Sequence, residues 1–474
     1  MYKQNNITAL FTVVITAFAL YSFNPFALYF QNDDFVHIPL SAQGFLLQHN
    51  SFRPLCDISI MLDYFLYGSN AWGYHLTNLL LHILASGVLF FLQKAVLKKY
   101  FTSVSHFNYY SFFTALLFFI YSSHSEAVFW ILGRSAILGA VFSMLFMYGY
   151  LKKSDSKKYT TLYVAALLLA LLSYESSWAL PVFCLLLCFI ENENGRWKHT
   201  ALVFIIFILY LLARFSFIHE VAGEYEAAAF LHADIFMLFK NYLLLNARSF
   251  LPAFNTNQFL FYCCCFQLVI WLLFFLRCSV IKKRRIIFLF VFFLLSLIPY
   301  ASIGVDTNGT EGERFLYLPT AIVCMLFIII IVYAKISILY KQIFAVAFCL
   351  LHIIVLYKNT SNYRFAGCIT KTVITEIKNL RNAKTIYARD VPQSQFGALI
   401  FRQGLPEAVK WLAPETGIDT VIICTKRSEI SPLADSYVVK YNNSNAMNCN
   451  NEDVKDAALL KFTDSVLYVN RNMK

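Results

Sequence analysis

Apolar residues run through this chain in long blocks separated by short polar connections, the pattern of helices that cross a membrane. A span needs about 20 apolar residues. About eleven segments approach that length, at 7–30, 71–92, 108–123, 127–150, 159–175, 177–190, 200–218, 258–276, 286–303, 315–334 and 342–357. Short cytoplasmic loops retain lysine and arginine. Here Lys94, Lys98 and Lys99; Lys152, Lys153, Lys157 and Lys158; Arg196 and Lys198; Lys282 to Arg285; and Lys335 with Lys341 fall in alternate connections. That alternation predicts a cytoplasmic N-terminus. It places Asp33 and Asp34, the HSEAVFWILGR, HEVAGEYEA and VDTNGTEGERFLY loops, and everything after the last span on the outer face.

From about Tyr363 the apolar runs shorten to strand length, at 385–388, 397–401, 421–424 and 466–469, with turn residues between them. Gly404, Leu405 and Pro406 break the chain before a single helix expected over Glu407 to Leu412. The expected architecture is an α-helical polytopic membrane domain over 1–362 and a small extracytoplasmic α/β domain over 363–474. No fixed-period repeat or low-complexity tract interrupts it.

Composition narrows the class further. Of 474 residues 59% are hydrophobic and 14% charged, and the mean hydropathy is +0.59, more apolar surface than a soluble fold hides. The twelve cysteines lie mostly inside apolar runs, as at Cys263, Cys264 and Cys265, without the spacing of a disulfide or zinc framework. The segment 7–30 exceeds the apolar core of a signal peptide and lacks a small-residue cleavage site, so it reads as a retained anchor. The net charge of +12 follows largely from the cytoplasmic loops, and no interleaved basic and aromatic stripe points to nucleic acid.

The candidate chemistry sits in the outer connections. In the first outer loop, 31–70, Phe35, Ile38, Pro39, Leu40, Phe45, Leu46 and Leu47 have the spacing of an amphipathic helix lying in the membrane interface, and Asp57 to Tyr67 that of a second. Asp33 and Asp34 open the first of these. Their simplest role is to complement the helix dipole. Adjacent helical positions diverge by about 100°, so one carboxylate can face a substrate while an arginine, a metal or a backbone amide holds the other. His75, Asn78 and His82 share one helical face, where bonding to neighbouring helices is a better reading than metal ligation.

Four ordered strings resemble the GT-C glycosyltransferase superfamily, especially the transmembrane and tetratricopeptide-repeat O-mannosyltransferases. The first is the acidic pair followed by Arg53, Pro54 and Leu55 and then Gly68, Asn70, Gly73, Tyr74, His75, Asn78 and His82. The second is His124, Glu126, Ala127, Val128, Trp130 and Arg134. The third, LLSYESSWALP, is similar to a Ser-Lys-Glu stretch, with Tyr174 before Glu175 where a lysine is common. The fourth, ERFLYLP from Glu313 to Pro319, departs from the family string only at Phe315. No tetratricopeptide repeats follow.

The resemblance implies transfer of a sugar from a polyprenyl-phosphate carrier to a hydroxyl of a protein or glycan on the outer face, with inversion. Asp33 would be the general base, Asp34 its support, and Arg53, Arg134 and Arg314 the groups that meet the departing lipid phosphate. His75, His124, Glu126 and Glu175 are further substrate-binding candidates. His124 and Glu126 fit a divalent cation, the donor phosphate or a plain interfacial pair, and Arg314 has Glu311 and Glu313 as nearby partners in its loop. The partners implied are the lipid-linked sugar, its acceptor and membrane lipids, and the expected location is a bacterial inner (plasma) membrane. A transporter or lipid flippase is the competing class. It would carry ionisable groups near the bilayer midplane rather than at the outer ends of spans.

Overall fold

The computed structural model describes residues 24–44, 52–102, 104, 106–190, 196–218, 234–253, 280–334, 337–379, 385–389, 391–424, 436–440 and 466–468. The expected anchor before residue 24, residues 45–47, the HEVAGEYEA loop and the 258–276 segment lie outside them. Helices α1 (Asp34–Ala42) and α2 (Pro54–Tyr67) fill the first outer loop. They are followed by α3 (Ala71–Tyr100), α4 (Phe107–Phe119), the short α5 (Ser125–Phe129), α6 (Arg134–Leu151), α7 (Lys157–Leu171) and α8 (Leu180–Ile190). Next come α9 (Arg196–Ile218), α10 (Ile235–Arg248), α11 (Val280–Ser296), α12 (Tyr317–Tyr333), α13 (Ile338–Lys378) and α14 (Leu405–Leu412).

Among the described residues five helices are long and apolar enough to cross a membrane: α3, 131–151, 197–217, 313–333 and α13. Helix α4 and the helical stretch 122–129 together are also long and apolar enough, but they meet at 58°, the geometry of a broken span or a re-entrant loop. The segments Glu175–Ile190 and Arg285–Tyr300 are apolar but shorter, and α7 has 15 residues. Helix α10 corresponds to none of the expected segments. Helix α13 runs for 41 residues, through Tyr363 and on to Lys378. At 1.5 Å per residue that is about 60 Å, twice a bilayer's apolar thickness. The change in sequence texture near Tyr363 therefore marks a change of surroundings along one continuous helix. Past it, Tyr363, Ala366, Ile369, Val373 and Ile377 are still buried.

The two ends of the bundle differ in chemistry. At one end Lys99 donates to the Leu151 carbonyl and Lys341 to the Val332 carbonyl, both at 3.1 Å, while Arg285 donates to the Tyr100 carbonyl. Buried acids and arginines occupy the other, where α1 and α2 lie. Helix α1 does not rest in the interface with its apolar face on lipid. Phe35 and Ile38 are fully buried, and Phe35 stacks on Phe401 at 5.7 Å and meets Trp411 edge-on at 6.5 Å. The outward apolar stripe belongs to α2 instead, through Ile58, Leu62, Phe65 and Leu66 at one-turn spacing.

The strands β1 (Thr385–Arg389), β2 (Ser394–Gln395), β3 (Ala398–Leu399), β4 (Thr420–Cys424), β5 (Ser436–Lys440) and β6 (Val466–Tyr468) follow α13. β1 pairs in parallel with β4 and β5, β6 closes antiparallel on β5, and β2–β3 form a separate pair. The stretch from β2 to α14 is sewn onto the membrane part. Asn32 donates its backbone N–H to the Ile400 carbonyl at 2.8 Å, and Thr310 donates to Phe396 at 3.2 Å. Gly397, at φ +89°, makes this approach possible, since a Cβ there would lie 2.2 Å from the Thr310 nitrogen and 2.7 Å from that of Glu311. Gly397→Ala is therefore expected to cost about 1–3 kcal/mol and to loosen this contact. The check is the rate of tryptic cleavage after Arg402 in nanodiscs, which should rise relative to the unsubstituted protein.

Candidate active site

The acidic pair opens α1, and its two members have different surroundings. Asp34 is completely buried, and its Oδ2 accepts the Gln31 backbone N–H at 2.9 Å. Burial pushes its carboxyl well above the usual carboxylate range, with the Gln31 amide and the Arg134 charge pulling it back only in part. Asp33 occupies the N-cap position but makes no side-chain cap bond. It is half-buried, and its Oδ1 accepts from Asn32 Nδ2 at 2.6 Å and from Gln403 Nε2. A chemically accessible carboxylate thus stands next to one that solvent does not reach.

Two arginines are partly open on the same end. Arg53 grips Glu175 with Nη2–Oε2 at 2.7 Å and Nε–Oε2 at 3.0 Å, and its side chain is 28% exposed. Arg214, nearly fully buried, takes the other Glu175 oxygen at 3.3 Å. Arg314 pairs with Glu126 through its guanidinium and also donates its backbone N–H to Glu126 Oε2 at 2.8 Å, with 25% of the side chain exposed. Neither acid of its own loop serves Arg314: Glu311 holds Arg402 in a two-pronged pair at 2.7 and 2.8 Å, and Glu313 pairs with the buried Arg248 at 2.5 Å.

Three rings join the two open arginines. The Arg53 guanidinium lies 4.6 Å from the centre of the Tyr174 ring, Tyr174 stacks on Tyr300 at 6.3 Å, Tyr300 on Phe315 at 4.6 Å, and Arg314 lies 4.6 Å from the Phe315 ring. The two departures from the family strings, Tyr174 and Phe315, fall in this one stack. Tyr300 is the ring between them. Arg402 lies within electrostatic reach of both Asp33 and Arg314, and Arg314 of Arg53, so the accessible acid and the cations form one continuous group.

Other candidates do not face this group. Arg134 is completely buried and pairs with Asp63 at 2.5 Å. It also bonds Asn78 Oδ1 at 2.7 Å, Ser59 Oγ at 2.9 Å, the Tyr74 carbonyl at 3.0 Å and the Ser59 carbonyl at 3.1 Å. Its donors tie α2, α3 and α6 together, which leaves none for a lipid phosphate. His75 contacts the Tyr29 carbonyl at 3.3 Å, and His82 bonds Tyr317 and the Phe119 carbonyl. His124 bonds Thr320 at 2.8 Å, away from the Glu126–Arg314 pair. Among the described residues no three His, Cys, Asp or Glu side chains converge as metal ligands.

Sequence reading missed Arg214, Arg248, Asp63, Arg402 and Gln403. Arg214 carried a signal, a lone cation inside an apolar run, where ionisable groups are costly. Arg134→Met is expected to destabilise the protein by about 3–5 kcal/mol, because it strands the Asp63 carboxylate. Asp63→Asn in the same chain should recover part of that loss. Thermal unfolding midpoints of the two variants in detergent check both.

No protein-family model matches the chain. Sequence relatives include protein O-mannosyl-transferase TMTC2 of Mus musculus, 34% identical over 112 residues, covering 24% of this chain and 12% of that protein. A protein O-mannosyl-transferase of Caenorhabditis elegans is 24% identical over 318 residues, or 62% of this chain and 44% of that one. The chain therefore spans less than half the length of these relatives. Among solved structures, ArnT from Cupriavidus metallidurans bound to undecaprenyl phosphate superposes with a TM-score of 0.52 at 11% identity, over 88% of this chain and 90% of that one. The chain has the fold of ArnT, and by sequence it resembles the protein O-mannosyl-transferases.

Proposed function

We propose that the protein is a membrane glycosyltransferase that moves a sugar from a polyprenyl-phosphate carrier to an acceptor hydroxyl on the outer face, with inversion at the anomeric carbon. The observation that carries this reading is the grouping of one half-buried carboxylate, Asp33, with two partly open guanidinia, Arg53 and Arg314, at an end of the bundle where Asp63, Glu126, Glu175 and Glu313 are buried in pairs and Asp34 is buried on a backbone amide. The relatives' names, protein O-mannosyl-transferases, support mannose as the sugar, and ArnT's bound undecaprenyl phosphate supports a polyprenyl carrier.

The chemistry follows from the groups present. A hydroxyl attacks only as a base takes its proton, and a positioned carboxylate contributes about 100-fold to 10,000-fold. Asp33 is that base. Asp34, excluded from solvent, holds the entry to α1 through Gln31. As the glycosidic C–O bond breaks, negative charge grows on the carrier phosphate, where Arg53 and Arg314 stabilise it. Glu175 and Glu126 hold these two guanidinia before the substrate arrives. A single displacement with one base yields the inverted product. The basic connections gathered at the other end support an outer location for this end and for the segment beyond α13.

In proteoliposomes supplied with undecaprenyl-phosphate mannose and solubilised membrane acceptor, Asp33→Asn should lower transfer by about 100-fold or more without changing the thermal midpoint; undiminished transfer would remove Asp33 as the base. Arg53→Gln separates binding from folding, because Glu175 keeps Arg214 as a partner. The kcat/KM for the donor should fall by about tenfold or more, the scale of one lost charge-assisted bond, with the melting point little changed.

A further inference from the structure

We propose that Gln403, on the turn between β3 and α14, is a positioning residue for Asp33, so that the segment following the membrane domain completes the active site. This rests on Asp33 being the base.

The contact is built, not incidental. Gln403 Nε2 donates to Asp33 Oδ1, and its backbone N–H donates to Asn32 Oδ1 at 2.9 Å. Asn32 in turn donates Nδ2 to Asp33 Oδ1 at 2.6 Å and its backbone N–H to the Ile400 carbonyl at 2.8 Å. Asn32 adopts φ +47°, a left-handed conformation that asparagine tolerates better than most residues. Gly404, at φ +85°, follows Gln403 so closely against this turn that a Cβ would lie 2.6 Å from the Asn32 carbonyl oxygen. Phe401 stacked on Phe35, Trp411 against Phe30 at 4.8 Å, and the Arg402–Glu311 pair anchor the turn on both sides. Residues 30–35 and 400–404 therefore meet as one interlocked surface.

The chemical consequence is specific to a neutral donor. Two amide N–H groups on the same carboxylate oxygen fix the plane of the Asp33 carboxylate and favour its ionised form. A carboxamide accomplishes this without a proton to exchange. Arg402 from the same turn and Asp34 from α1 lie within electrostatic reach of Asp33, and Arg402 links it to Arg314 and Glu311. Gln403 itself is exposed, so its side chain contributes orientation rather than core packing.

The test uses the full chain in nanodiscs. Asp33 is labelled with a water-soluble carbodiimide and glycine ethyl ester across pH 3–8 and quantified by mass spectrometry. The same variants are assayed with undecaprenyl-phosphate mannose. With the Nε2 donor removed, Gln403→Ala should move the labelling midpoint of Asp33 and the acid limb of the rate profile upward together, by about one pH unit. It should lower kcat about tenfold with little change in the donor KM. Gln403→Glu, which sets a second carboxylate against the first, should shift both further. A labelling midpoint and kcat unchanged in Gln403→Ala, with Asp33→Asn inactive, would overturn the positioning role and leave the base intact. Transfer retained by Asp33→Asn would overturn the base assignment and this inference with it. Should Gln403→Ala lose fold, Gln403→Met, of similar length but without the donor, gives the same readings.

Discussion

An ionised group inside a membrane protein costs several kcal/mol unless a partner charge or hydrogen bonds meet it, and the acidic end of this bundle is organised around that cost. Asp63, Glu126, Glu175 and Glu313 are each buried and each joined to an arginine. The pairs connect elements that are distant in sequence: Arg134 joins α6 to α2, Arg53 joins the first loop to the stretch before α8, and Arg248 joins α10 to the loop before α12. Each pair fixes a relative position that apolar packing alone, which is non-directional, leaves free.

The same requirement sorts the arginines by what they can do. Arg134 and Arg248 have their donors occupied by protein and are closed to solvent, so they serve the fold. Arg53 and Arg314, each paired with a glutamate, remain partly open, as the proposed contact with a carrier phosphate requires. The ring stack between them, Tyr174, Tyr300 and Phe315, sets their spacing by rigid aromatic contact rather than by another charge. A tyrosine in place of the lysine common at position 174 is consistent with this arrangement, since Arg53 already places a cation over that ring.

The acidic pair shows how adjacent residues acquire unlike roles. A helix start turns consecutive side chains in different directions, and the turn around Gln403 covers the opening of α1 from above. Asp34 is driven inside onto the Gln31 amide. Asp33 is left at the edge, held by two neutral donors. The stretch from β2 to α14 thus forms part of the wall of the candidate site, joined to the acid loop and to the loop before α12 by backbone bonds that require Gly397 and Gly404.

Much of this was legible in the sequence because a bilayer imposes a length and a hydropathy that any spanning helix must meet. The apolar runs located α3, α6, α9, α12 and the start of α13; alternating strand-length runs and a Gly-Leu-Pro break located β1, β3, β4, β6 and α14; and the family strings marked Asp33, Asp34, Arg53, Glu126, Glu175 and Arg314. The sequence also points to a domain boundary at 362/363 and an interfacial α1, because apolar density reports what a segment touches only when the neighbour is lipid or water. In this protein the neighbour in both places is the C-terminal segment. Which arginine neutralises which acid, which of two adjacent aspartates stays open, and which glutamine reaches it were decided by tertiary structure. Charge pairing acts over a few ångströms in space, and nothing in the spacing of residues along the chain encodes those distances.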